Sequence, residues 1–204
     1  MKYVIMADGD MKRWHADCNI PKHLLRVGDE TLLERLVRQL HGVDVQAEII
    51  ITSHNGRYEV RGATRYEPRD NHLEIDRFTW ELIEDDICFL YGDTYYTDQA
   101  IRAIHEVQTE EIHFVGTEKS IVALIAHDAA LLRQHILRVK EAFLKGKLSE
   151  CRGWQVYQSY AGLPFGKPVI GPAFTLLSDG TCGFNSWQEY QDFLKRGNEY
   201  DGHI

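Results

Sequence analysis

The chain is short of cysteine, of basic charge and of long apolar runs, and each shortage removes a class of protein. Its four cysteines, Cys18, Cys88, Cys151 and Cys182, are widely scattered and form no C-x-x-C pair. Cys88 and Cys182 fall in or beside strand patterns, so buried free thiols are expected. His15, Asp17 and Cys18 could collect a metal ion, but three potential ligands in one loop often arise by chance. Basic charge is outweighed, leaving a formal net charge of −8, which disfavours nucleic acid as a partner because phosphate backbones need basic surfaces. No run of eighteen apolar residues occurs, and the N-terminus enters a strand pattern rather than a signal peptide. A soluble, cytoplasmic protein with no membrane partner is therefore expected. No linker rich in proline, glycine and serine, no repeat and no low-complexity tract interrupts the chain. Residues 1–204 read as a single domain whose 44% hydrophobic content can bury one sizeable core.

What is present is concentrated at the start. The apolar run Tyr3-Val4-Ile5-Met6 ends abruptly in the polar loop Ala7-Asp8-Gly9-Asp10-Met11-Lys12-Arg13, and Pro21-Lys22 follows. Unbroken apolar and β-branched residues predict a buried strand. A small-residue loop leaving such a strand lets backbone N–H groups approach an anion, and Arg13 and Lys22 add charge suited to a polyphosphate. The same residues also suit an ordinary strand–loop turn with two surface cations.

Strand and helix patterns then alternate. Thr31 and Glu34 form a capping box ahead of a helix carrying Leu32, Leu33, Leu36, Val37 and Leu40, which Gly42 is expected to stop. Residues 47–52 predict a second buried strand, 53–71 an irregular segment, and Glu74 to Ile83 a helix. Ile87 to Tyr91 predicts a strand ending in Gly92-Asp93. Further helices are expected over Asp98–Val107 and 129–145, and strands over 112–115 and 121–126. Ser186 and Glu189 form a capping box opening a final helix, with Gly197 beyond its end. This alternation implies a mostly parallel sheet covered on both faces, with ligands at the carboxyl ends of the strands. Both candidate loops lie there. Asp93 is placed to hold a metal ion against a phosphate, though Gly-Asp is also common turn chemistry.

These residues resemble the opening of the sugar-phosphate nucleotidyltransferases, which begin with a strand, a loop of the form L-A-A-G-x-G-x-R, and then P-K-x-L. The chain keeps Ala7, Gly9, Arg13, Pro21 and Lys22, and departs at Asp8 and Met11, where the family has small residues. The resemblance extends over nearly the whole chain and implies a three-layer α/β/α sandwich of the nucleotide-diphospho-sugar transferase (GT-A, Rossmann-like) type. It implies transfer of NMP from an NTP to a phosphorylated small acceptor, a sugar 1-phosphate or a phosphocholine-like molecule, with release of pyrophosphate. It places the NTP on Ala7, Asp8, Gly9, Asp10, Met11, Lys12, Arg13, Lys22, Asn71 and Gly92, with Arg13, Lys22 and Asp93 in catalysis and Asp93 on Mg²⁺ or Mn²⁺. The small size and the Asn71 segment look most like the short cytidylyltransferases.

The family's second metal ligand lies in a D-I-N-S/T-P-E-D pattern. Here Gly183 stands at the position of the carboxylate, and Asp179, Asp8 or Asp10 could replace it. Two other activities stay open on this sequence: a glycosyltransferase on the same fold, and a nucleotide-binding protein that has lost catalysis. Trp154, Tyr157, Tyr160 and Phe165 could form the acceptor-side wall, a cage for a choline-like cation, or a homodimer patch.

Overall fold

The computed structural model describes residues 1–9, 14, 20–166 and 169–201, with only the backbone for 197–201. Its strands are β1 (Lys2–Met6), β2 (Arg26–Val27), β3 (Glu30–Thr31), β4 (Glu48–Thr52), β5 (Thr64–Tyr66), β6 (Ile87–Tyr91), β7 (Thr94–Tyr95), β8 (Ile112–Gly116), β9 (Ile121–Ala126), β10 (Phe174–Leu176) and β11 (Cys182–Gly183). Its helices are α1 (Leu32–Val43), α2 (Asp98–His105), α3 (Ala129–Leu144), α4 (Gly153–Tyr160) and α5 (Trp187–Asp201).

Seven strands form one sheet in the order β10-β8-β9-β6-β1-β4-β5, and β9 alone runs antiparallel to its neighbours. β1 lies inside the sheet beside the central strand β6, in register with both β4 (Ile5 opposite Ile51) and β6 (Ile5 opposite Leu90). Period-two alternation sends its residues to two cores. Tyr3 and Ile5 pack with Leu33, Leu36, Val37 and Leu40 of α1 and Ala100, Ile101 and Ile104 of α2. Val4 and Met6 pack with Phe78, with Leu132, Ile136 and Val139 of α3, and with Val156 and Tyr157 of α4. A strand buried on both faces has no room for polar alternation, which is why it reads as a continuous apolar run.

α1 starts where its capping box places it: the Thr31 hydroxyl accepts from Glu34 N at 3.2 Å, and Glu34 accepts from Thr31 N at 2.8 Å. Gly42 does not stop it, since α1 continues to Val43 and is capped at Asp44. Gly197 likewise lies within α5 rather than beyond it. The expected helix over Glu74–Ile83 is instead two 3₁₀ turns, Glu74–Phe78 and Trp80–Leu82, broken at Thr79 with a left-handed φ of 36°. The Asp76 carboxylate accepts from His72 N (3.0 Å) and Leu73 N (2.7 Å) and so holds the first turn's start. The irregular segment contains β5, an edge strand too short to show periodicity.

A third, smaller core joins distant parts of the chain. Trp14, Leu25, Leu32, Phe184 and Tyr190 are buried together, with Trp187, Phe193 and Leu194 of α5 against them. Trp14 meets Trp187 edge-on at 6.1 Å and donates its indole N–H to Ile20 O at 2.7 Å. Cys88 and Cys151 are buried free thiols, and Cys182 is half-buried and free. Among the described residues, no helix is long and apolar enough to cross a membrane.

Candidate active site

Two adjoining cavities, of about 780 and about 580 Å³, open beyond the carboxyl ends of β1 and β6. Lys22, Glu74, Arg77, Asp93, Arg152 and Asn185 line both, so they form one cleft. Its position follows the rule for open α/β sheets.

The first loop enters from β1. Ala7 N is still paired to Thr52 O at 3.1 Å, and Gly9 lines the larger cavity. The Asp8 side chain turns to the end of β4, where one oxygen accepts from His54 N (2.9 Å) and the other meets His54 Nδ1 at 2.6 Å. Asn71 donates its amide to Asp8 O at 2.7 Å. Asp8 and Asn71 thus tie this loop to the ends of β4 and β5, and the Asp8 carboxylate is occupied by His54. Asp10, Met11, Lys12 and Arg13, with His15, Asp17 and Cys18, lie outside the described residues.

The second loop leaves β6. Gly92 N bonds Met6 O at 3.0 Å, and a Cβ at Gly92 would stand 3.0 Å from Ile5 Cγ2 and 3.1 Å from Met6 O. A side chain there would crowd Ile5 and the β1 backbone, and the close approach delivers Asp93 to the cleft. Asp93 is half-buried, lines both cavities, and makes no hydrogen bond or ion pair among the described residues. Thr94 beside it pairs with Gly183 of β11. That pairing brings Gly183 to the smaller cavity, with nothing nearer its Cβ position than Thr94 Oγ1 at 4.0 Å.

Asp179 is placed differently. It is not among the cleft residues; its carboxylate accepts from the Thr97 hydroxyl and from Thr181 N at 3.1 Å. Burial acts to raise its pKa, but the bonds from Thr97 and Thr181 outweigh it and hold the group below the usual range. The described residues contain no cluster of three or more His, Cys, Asp or Glu side chains able to hold a metal ion.

Lys22 follows Pro21, whose φ of −59° starts the 3₁₀ turn Lys22–Leu24. Its ammonium lies 5.4 Å from the Trp14 ring centroid, so the third core fixes the base of this cation. His23 is buried against Tyr58, with ring centroids 5.0 Å apart, and its Nδ1 has no hydrogen-bond partner among the described residues. Burial pushes its pKa down to about 4, so the ring is neutral beside Asp93.

Residues that sequence reasoning missed complete the cleft. Glu74 and Arg77 reach it from the first 3₁₀ turn, where side chains three apart eclipse one another. That spacing puts both on one face in an α-helix as in a 3₁₀ turn, so it was the available signal. Arg152 pairs with Glu74 at 3.4 Å and Glu150 at 2.6 Å. Of the four aromatic residues before β10, Trp154 alone lines the cleft, stacked on Phe174 at 5.7 Å. Tyr157 is buried core, and the hydroxyl of Tyr160 donates to Glu111.

No protein-family model and no curated protein matches the chain. Solved structures do. A CTP:phosphocholine cytidylyltransferase from Streptococcus pneumoniae superposes with a TM-score of 0.56 at 15% identity, over 95% of this chain and 97% of that one. A 2-C-methyl-D-erythritol 4-phosphate cytidylyltransferase from Thermus thermophilus gives 0.56 at 17%, over 95% and 98%. An inositol-1-phosphate CTP transferase from T. maritima gives 0.55 at 11%, over 95% and 94%. At these identities the likeness is one of architecture, and the chain has the mostly parallel α/β fold that these nucleotidyltransferases share.

Proposed function

We propose that the protein is a nucleotidyltransferase that moves NMP from an NTP to a phosphorylated small acceptor and releases pyrophosphate. The observation that carries this reading is Asp93: a carboxylate without a partner among the described residues, delivered by a close-packed glycine to the junction of two cavities, with Lys22 and Arg77 beside it. The larger cavity, with Asp8, Gly9, Lys22 and Asn71, is read as the nucleotide side. The smaller, with Lys119, Arg152, Trp154 and Arg196, is read as the acceptor side.

An acceptor phosphate oxygen would form the new bond to the α-phosphorus as the α–β bridge breaks. Alignment and charge neutralisation do most of the work in such a transfer, so no side-chain nucleophile is needed. Bound magnesium or manganese would neutralise charge at the α-phosphate. Asp93 is the described residue that would hold it, since one carboxylate plus substrate phosphates is enough for magnesium. Lys22 binds and orients phosphate, and Gly9 lets backbone approach it. The test is pyrophosphate release from each of four NTPs against a panel of phosphorylated acceptors, for wild type and Asp93→Asn. Full activity in Asp93→Asn refutes the role of Asp93.

Gly183 favours a second reading, a nucleotide-binding protein without catalysis, because the strand paired to Thr94 offers no carboxylate there. A wild type that binds NTP yet releases no pyrophosphate with any acceptor supports it.

A further inference from the structure

Arg77 differs from the other described cations at the centre of the cleft. Arg152 is taken by Glu74 and Glu150, and Lys22 lies over Trp14. Arg77 makes no ion pair among the described residues, although Glu74 and Asp93 line the same two cavities. Its Nε is buried without a hydrogen-bond partner among the described residues. The guanidinium lies against the loop after β1: a Cβ at Gly9 would stand 3.2 Å from Cζ, 3.2 Å from Nη2 and 3.4 Å from Nη1. Similar distances to three atoms of one plane put its face on Gly9, which leaves the in-plane N–H groups for something else. A guanidinium partly stripped of water with its donors unmade is costly unless a ligand supplies acceptors, and its planar fork matches phosphate oxygens. Its base is held firmly, because Asp76 caps the turn and is paired to Lys140 of α3 at 2.5 Å.

We propose that Arg77 is a phosphate-binding residue at the junction of the two cavities, supplying fixed side-chain charge where the described residues gather no cluster of metal ligands. The proposal rests on the nucleotide reading above and adds a property to it: polyphosphate binding persists without a divalent ion.

Titration calorimetry in EDTA tests this, with inorganic pyrophosphate and each of four NTPs as probes, on wild type, Arg77→Gln and Arg77→Lys. Wild type is expected to bind pyrophosphate and at least one NTP, Arg77→Gln to lose about tenfold or more in affinity, and Arg77→Lys to lose less. Gly9→Ala keeps the charge but sets a methyl group 3.2 Å from the guanidinium, and is expected to weaken pyrophosphate binding on a folded chain. Wild-type affinity for both probes in Arg77→Gln overturns the proposal, as does a wild type that binds neither probe in EDTA. Should Arg77→Gln not fold, Arg77→Met takes its place, and wild-type affinity for both probes in that variant overturns the proposal equally. Arg77-dependent binding of pyrophosphate without binding of any nucleotide upholds the Arg77 assignment and overturns the nucleotide reading.

Discussion

Asp93, Lys22 and Gly183 each separate cleanly from folding, because none is a core side chain. Asp93→Asn keeps shape and removes charge, so melting should be unchanged while pyrophosphate release falls by about a hundredfold or more. Lys22→Ala removes a cation held over Trp14. It should weaken NTP binding by about tenfold, read as a smaller thermal shift at a given NTP concentration, with the fold retained. Gly183→Asp adds a carboxylate into open space beside Thr94. It should tighten Mn²⁺ binding, measured directly by electron paramagnetic resonance on the otherwise wild-type chain; unchanged affinity would show that the added carboxylate does not reach the ion. Residues that announced themselves in the sequence were those at strand ends, where Ala7–Gly9 and Gly92–Asp93 interrupt apolar runs. Arg77 and His23 carried no such mark. Their environment is made by partners far away in sequence, Gly9 for one and Tyr58 and Gly92 for the other.

Among the elements, legibility followed burial. β1, β6 and α1 were readable because a doubly buried strand and a capped amphipathic helix impose their own patterns on the sequence. The turns over Glu74–Leu82 were not, because the apolar residues Ile75, Phe78 and Leu82 sit at helix-like spacing while the break depends on Thr79 adopting positive φ. α4 was missed for the opposite reason: its aromatic residues drew attention to side-chain chemistry and away from periodicity. The first 3₁₀ turn matters beyond its length, since it presents Glu74 and Arg77. Asp76→Asn should therefore act in two ways. Losing the buried ion pair to Lys140 should cost about 2 kcal/mol of stability by denaturant unfolding. The loosened turn should also raise the NTP concentration needed for half-saturation, although Asp76 itself lies outside both cavities.

At the scale of the whole molecule, acid should weaken the fold through its histidines. His23 has a folded pKa near 4 against 6.5 for the free group, so the unfolded chain binds the extra proton first. Its contribution is fully present above 6.5 and drains away as pH falls toward 4. By about pH 5 this costs roughly 2 kcal/mol. Burial pushes His113 and His135 in the same direction. The slope of unfolding free energy between pH 7 and pH 5 should be positive with rising pH and visibly shallower in His23→Gln; an unchanged slope would show that His23 is not the source. The third core has a consequence of another kind. Trp14 packs on Trp187, so the earlier-made segment waits for one made much later. With about 170 residues between them, synthesis leaves that indole unpaired for on the order of ten to thirty seconds. The central sheet can form in that interval, but the ring beneath Lys22 cannot settle until α5 has emerged. A chain held on the ribosome before α5 has emerged would therefore keep Lys22 over a Trp14 ring that has no Trp187 to pack on.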